Sequence, residues 1–237
     1  MRIFTPALIR HGKSKILTGL NDCIKIEKIN ERKIKIEKIK GYKIPTNDSN
    51  PVYKAAALMQ KMKPNKLGAL IKITKNIPVS YGFSSMDSNA AGTILALNKI
   101  WDFKLPETEL IKIAKKISPE AALILKTYFH PLDTDKKNLI LICPKYIKID
   151  NDWLKKRIAT GRNAESIIIK HFPDIKGIIE IMKLNGCKVA GIVGKGPALF
   201  GISDKPADYT KIKKALKNKS EFIWRGKSCN NCGKLLD

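Results

Sequence analysis

Between Leu70 and Trp101 an apolar stretch (Leu70, Ile71, Ile73, Ile77) passes through Pro78 into a small-residue segment, Gly82 to Ser88. Ala90, Ile94, Leu97 and Trp101 then recur at helical spacing. A strand, a turn of small residues and a helix start form the general recipe for gripping phosphate. The first amides of a helix lack partners, and its dipole favours anions. On that pattern alone a tight turn without a ligand is as good a reading. Three other groups could do chemistry. Gly194-Lys195-Gly196 sets a cation between two conformationally free residues. Cys229 and Cys232 have the spacing of half a zinc ribbon, but there is no second such pair to complete a tetrahedral site, so a solvated tail with two thiols is the better reading. His130 and His171 have no paired acid and nucleophile at recognisable spacing and read as surface or structural; His11, near the chain start, is the more interesting histidine.

These groups must be positioned by regular elements. Residues 22–44 alternate apolar and charged (Ile24, Ile26, Ile29, then Ile34, Ile36, Ile39) around Asn30-Glu31-Arg32, which predicts a β-hairpin or meander. After the polar break from Pro45 to Pro51, the spacing of Val52, Ala55, Ala56, Met59 and Met62 predicts a helix. A strand ends at Pro78, a helix begins close to Ser88, and another covers 106–117. Beyond Asp133 come a strand from Leu139 to Cys143, helices near 152–158, 163–170 and 173–184, strands at 188–193 and 198–202, a helix at 207–216 and a last strand at 222–224. From Gly226 the chain is expected to be a polar, mobile tail. The expected division is 1–135, 136–225 and a tail of 226–237.

Composition narrows the function classes. The 237 residues are 43% hydrophobic, enough for a packed core. No apolar run approaches the roughly 18 residues of a membrane span, so a soluble, cytoplasmic protein is expected. Five cysteines, odd in number and mostly scattered, fit reduced thiols. The net charge of +25 suggests nucleic acid, yet lysine and isoleucine are enriched evenly along the chain, aromatic residues are 7%, and no nucleic-acid motif appears. Nucleic acid is therefore an unlikely partner, and a small-molecule site is the better expectation.

Several segments taken in order are more specific than the loop. Asn50 to Ala56, Lys75 to Phe83, Asn89-Ala90-Ala91-Gly92, Ala96 to Trp101, Leu105 to Leu110, Gly161-Arg162-Asn163, Phe172 to Ile175 and Gly194 to Gly201 together resemble the 4-diphosphocytidyl-2-C-methyl-D-erythritol kinase family of the GHMP kinase superfamily. The resemblance runs from about Pro6 to Leu216. It implies an α+β, two-lobed GHMP kinase fold, with an N-terminal lobe like ribosomal protein S5 domain 2 and a ferredoxin-like C-terminal lobe. It also implies ATP and Mg2+ as cofactors, and transfer of the γ-phosphate to the 2-hydroxyl of a cytidine-diphosphate methylerythritol in non-mevalonate isoprenoid precursor synthesis. By the same resemblance Pro78, Gly82, Ser84, Ser85, Asp87, Ser88 and Asn89 hold the nucleotide, and Gly194, Lys195 and Gly196 contact substrate. Asp87 and Ser88 stand at the metal position, where Asp87 is expected to repel phosphate, so that Met86→Gly with Asp87→Ser tightens magnesium-ATP binding, the alternative being that Asp87 ligates magnesium.

Departures from the family pattern fall on the chemistry. Leu8 occupies the place of the family's lysine in Pro6-Ala7-Leu8-Ile9-Arg10, and Arg10, Lys13 and Lys15 are the cations nearby; Arg10 is the expected replacement. The lost lysine is expected to limit the rate, so Leu8→Lys should raise turnover by about an order of magnitude or more. Glu120 is the acid nearest the family's aspartate and is expected to orient the acceptor hydroxyl. Ser84, Ser85, Met86 and Asp87 replace glycines and a serine, and the family's cytidine-binding segment has no counterpart between Lys15 and Asp22. The alternative is a catalytically impaired relative that keeps the fold as a nucleotide-binding or interaction module.

Overall fold

The fold is taken from a computed structural model, which describes residues 1–62, 67–132, 135–158, 163–230 and 235–236. Its frame is a sheet of nine strands flanked by helices. Strands β1 (Arg2–His11) and β2 (Ser14–Ile29) form an antiparallel hairpin closed by the short turn at Gly12 and Lys13. Gly12 has φ 57°, a value glycine adopts without a Cβ penalty.

The expected hairpin over 22–44 is not formed. β3 (Ile34–Gly41) is separated from β2 by β4 (Gly68–Lys75), which runs antiparallel to β2, with Ile24 opposite Ile73, and parallel to β3, with Ile36 opposite Ile71. Period-two alternation reports which face of a strand is buried but not which strand lies beside it. Here the connection after Ile29 crosses the start of β4. Ala69 donates to the Lys33 carbonyl at 3.0 Å, and any side chain at Gly68 would collide with the Glu31 carbonyl.

Helix α1 (Pro51–Gln60) starts where Asn50 accepts from the Val52 amide at 2.8 Å and Pro51 supplies a preset φ. Its buried residues Val52, Ala55, Ala56 and Met59 lie on one face. Helix α2 (Ser85–Ile100) is the central helix, buried without interruption from Ser88 to Leu97. α3 (Glu107–Lys115) and α4 (Pro119–Phe129) pack beside it. α4 is an addition to the elements expected from the sequence. The signal was there: Ser118 Oγ accepts from the Ala121 amide at 2.9 Å, and Pro119 occupies the first turn.

The second half contains β5 (Asn138–Pro144), α5 (Asn151–Ile158), α6 (Ala164–His171), α7 (Asp174–Leu184), β6 (Val189–Ile192), β7 (Leu199–Ser203) and α8 (Tyr209–Ala215). One apolar core fills the first lobe, with Ile3, Leu8, Ile71, Ile94 and Leu125 among its residues, and a second lies in the other lobe around Ile142, Leu154, Ile168 and Leu199. A third joins them: Ala7, Ile9, Ile77 and Phe83 pack with Leu139, Leu141, Val193 and Phe200.

The expected tail is corrected. Strand β8 (Ser220–Cys229) runs through Gly226, pairing with β5 as far as Lys227 and then with β2 through Ser228 and Cys229. β9 (Leu235–Leu236) pairs with β1. The polar residues of β8 follow the alternation of a strand with one face in solvent, which resembles a loop in composition.

Candidate active site

β4 ends at a junction held by charge. Lys75 Nζ contacts Asp22 Oδ2 at 2.5 Å and the Ile77 carbonyl at 2.9 Å, and Asp22 Oδ1 accepts from the amides of Asn76 and Ile77 at 2.8 and 2.9 Å. The chain then crosses between the lobes. Ser80, Gly82 and Ser84 have φ of 69°, 95° and 49°. Phe83, 1% exposed, drops into the core that joins the lobes, and its carbonyl accepts from Leu8 at 3.0 Å. A Cβ at Gly82 would stand 2.5 Å from the Val193 carbonyl, so this position needs glycine for space as well as for φ.

The second glycine turn lies against the first. Gly194 donates to the Arg10 carbonyl at 2.7 Å, Gly196 to the Val193 carbonyl at 2.8 Å, and Ala198 to the Tyr81 carbonyl at 3.1 Å. The end of β1, the loop and the turn are thus tied through their backbones. They frame a cleft of about 1020 Å3, which also takes in the starts of α2, α4 and α6.

Most of the expected residues meet there. Arg10, Pro78, Gly82, Ser84, Ser85, Asp87, Glu120, Gly194 and Lys195 line the cleft. Three do not. Ser88 and Asn89 are wholly buried one turn into α2; Asn89 Oδ1 accepts from Thr5 Oγ1 at 2.6 Å, and Ser88 Oγ has no hydrogen-bond partner among the described residues. Gly196 serves the turn itself, where a Cβ would press on Ile149 and Ile192. Gly161, Arg162 and Cys232 lie outside the described residues. The zinc idea gains nothing from Cys229, whose thiol donates to the Thr18 carbonyl at 3.3 Å and is pushed up to about 11 by burial.

Leu8, 1% exposed, belongs to the first lobe's apolar core, which corrects the expectation that it faces the site. Arg10 lies two residues on, hence on the same face of β1 and one step nearer the mouth. Its Nη1 reaches Glu120 Oε1 at 2.5 Å, with the two side chains 43% and 31% exposed. Beside them, Asp87 Oδ1 accepts from Ser118 Oγ at 2.6 Å. Burial holds the Asp87 carboxyl above the usual range, the Ser118 bond opposes this, and the Glu120 charge adds to it. Asp87 and Glu120 both line the cleft and are hard oxygen donors of the kind magnesium takes, whereas Ser88, expected beside Asp87 at the metal, is buried away from the cleft.

At α2's entry Ser84 is left-handed and makes no side-chain cap bond, and the first intrahelical amide to pair is that of Ser88, to the Ser84 carbonyl at 2.9 Å. The amides of Ser85 and Met86 lack a helical acceptor and belong to the segment lining the cleft. Across the cleft the structure brings Glu165, which the sequence did not single out, to His11 and Asn163, which it did. His11 Nδ1 is 3.7 Å from Glu165 Oε2, and Glu165 Oε1 accepts from Ile192 at 3.3 Å. The Asn163 side chain caps α6 at the Glu165 amide, 2.9 Å away. His11 and Glu165 are 154 positions apart, and no spacing rule connects them.

A two-lobed α/β fold, a glycine-bearing loop feeding a buried helix and a second glycine turn define a class of small-molecule kinase. The chain belongs to it: residues 50–133 match the GHMP kinases N terminal domain and residues 145–221 the GHMP kinases C terminal domain. Among its relatives is the 4-diphosphocytidyl-2-C-methyl-D-erythritol kinase of Caldicellulosiruptor saccharolyticus, 27% identical over 250 residues, covering 90% of this chain and 86% of that one. The crystal structure of a 4-(cytidine 5'-diphospho)-2C-methyl-D-erythritol kinase is similar with a TM-score of 0.77 and 18% identity, covering 97% of this chain and 99% of the other. Homoserine kinase from Cytophaga hutchinsonii is similar with a TM-score of 0.74 and 14% identity, covering 100% and 97%. At these identities the structural likenesses speak for the fold alone. No helix among the described residues is long and apolar enough to cross a membrane.

Proposed function

We propose that the protein transfers the γ-phosphate of ATP to the 2-hydroxyl of 4-diphosphocytidyl-2-C-methyl-D-erythritol. The observation that carries this is the Arg10–Glu120 pair at the mouth of the loop. The family's lysine and aspartate are both replaced, and Arg10, two residues further along β1, with Glu120 on α4 forms a cation–carboxylate pair that can stand in for them.

Each group then has a task. The unpaired amides at the start of α2, with Ser84, Ser85 and Gly82, cradle the phosphates. Arg10 faces the negative charge that shifts toward the leaving oxygen, and its planar guanidinium suits phosphoryl oxygens. Glu120, held by Arg10, accepts a hydrogen bond from the acceptor hydroxyl and aims it at phosphorus. Asp87 and Glu120 would hold Mg2+, which when bound neutralises phosphate charge. Lys195 and Gly194 contact the substrate from the opposite lobe, and the apolar core beneath Phe83 closes the cleft floor to water.

The test is incubation of the purified protein with ATP, magnesium and the cytidine substrate, with ADP release and phosphorylated product followed together. Product that depends on both substrates supports the reading. Nucleotide binding without product supports the impaired relative instead, and ADP release with a different alcohol would leave the kinase class and discard the acceptor.

A further inference from the structure

The Asp22–Lys75 pair lies outside the cleft and has no part in the chemistry above. Both side chains are 0% exposed, in a chain whose other ion pairs are at least partly exposed among the described residues. The register that sets Cys23 opposite Thr74 brings Asp22 and Lys75 together at the next rung, the last before β4 ends. Every bond that the two side chains make beyond each other goes to the residues that lead into the loop. Asp22 Oδ1 takes the amides of Asn76 and Ile77, and Lys75 Nζ takes the Ile77 carbonyl. The side-chain amide of Asn76 adds a bond to the Asn21 carbonyl at 2.9 Å. From the other side Tyr42 donates to the Lys75 carbonyl at 3.1 Å, an approach that Gly41 permits because any side chain there would strike that carbonyl.

A buried ion pair is a poor way to gain stability, since desolvation of both charges cancels much of their attraction. It is a good way to fix direction: a carboxylate taking two consecutive amides allows the chain one orientation. Burial indeed pushes Asp22 up and Lys75 down, each against its partner's pull. The next residue, Pro78, lines the cleft, and the left-handed residues Ser80, Gly82 and Ser84 follow. An error in direction at Ile77 would be carried along the whole loop.

We propose that Asp22 and Lys75 are positioning residues which preset the loop for nucleotide, acting through the backbone of Asn76 and Ile77. This rests on the reading of the loop as a phosphate cradle. The test compares two paired variants. Asp22→Ala with Lys75→Met removes both charges and the carboxylate cap; Asp22→Asn with Lys75→Gln keeps an acceptor for the two amides and a donor for the Ile77 carbonyl. Calorimetry with magnesium-ADP, which needs no turnover, should give at least tenfold weaker binding for the first and binding within about threefold of the unaltered protein for the second. Amide exchange at Ile77 to Ser84 in the ligand-free protein should quicken in the first variant alone. If the first variant does not fold, Asp22→Asn with Lys75→Met, which keeps the cap but loses the tie to the Ile77 carbonyl, decides by the same two measurements. Unchanged magnesium-ADP affinity and unchanged loop exchange in a folded variant would overturn the proposal, because a purely structural pair would alter only the melting temperature. If the unaltered protein binds no magnesium-ADP, the cradle reading fails, and loop exchange alone still settles whether the pair sets the loop.

Discussion

Replacing Arg10 by glutamine separates catalysis from stability. The Arg10–Glu120 contact is 2.5 Å long, but its side chains are 43% and 31% exposed, so water and salt screen it. Pairs of that exposure contribute about 0–1 kcal/mol to folding, and in a chain of this size about 1 kcal/mol moves the melting temperature by roughly 2–4 °C. The effect on the rate is set by something else. A group that meets charge developing in a transition state is worth about 2.7–4 kcal/mol, and the open cleft, where water can take the guanidinium's place, argues for the lower end. At about 1.36 kcal/mol per decade that is a loss on the order of a hundredfold in kcat. Arg10→Lys keeps the charge but loses the fork and should recover about tenfold of it. The assay is steady-state ADP release with the acceptor present, alongside a melt followed by circular dichroism. Because the pair acts as a unit, Glu120→Gln should abolish turnover, and adding Arg10→Gln should cost little more. A folded Arg10→Gln protein whose kcat stays within about threefold of the unaltered protein would refute the role given to this arginine.

Other substitutions test the remaining parts of the site. Leu8→Lys should lower stability by about 2–5 kcal/mol without raising turnover, since it loses a packed leucine and forces an ammonium into the core; thermal melts and rates check both. Asp87→Asn should raise the melting temperature at pH 7. The folded-state pKa of Asp87 is raised, so its ionised form opposes folding, and the gain should fade as pH falls through that raised value toward 3.8. If Asp87 ligates magnesium, the same variant weakens nucleotide binding in magnesium but not in its absence, which calorimetry with and without the metal will show. Gly82→Ala should cost about 1–3 kcal/mol, through its left-handed φ and the nearby Val193 carbonyl, and should weaken magnesium-ADP binding in the same calorimeter.

Much of this architecture is legible in the residues themselves. Asn50-Pro51 announces α1, and α2 begins at Ser85, three residues from the expected start. Glu120 and the two glycine turns were identifiable because each is a local pattern of a few residues. What escaped was nonlocal. The isoleucines of β2 and β3 show their buried faces, but nothing in them reveals that β4 inserts between the two strands. Leu8 reads as a lost lysine until the core around it is seen, and Arg10 reads as a neighbour until α4 brings Glu120 to it from 110 residues away. The continuation of β8 beyond the expected 222–224 hides because Arg225 and Lys227 on its exposed side are residues a solvated tail would also carry.

The way β8 and β9 close the sheet gives the molecule a timetable. β1, which carries Arg10 and His11, is made well before its partner β9, and β8 follows both β2 and β5, the strands it bridges. On the ribosome, therefore, the edge of β1 waits for β9 while the second lobe is synthesised, and although the core around Ile9, Phe83 and Leu141 can already join the lobes, the strand that spans both is completed only after residues 220–229 have emerged. A chain interrupted before β8 would have both lobes' apolar segments but no strand to bridge them, so it should be cleared by proteolysis instead of persisting as a half-competent enzyme.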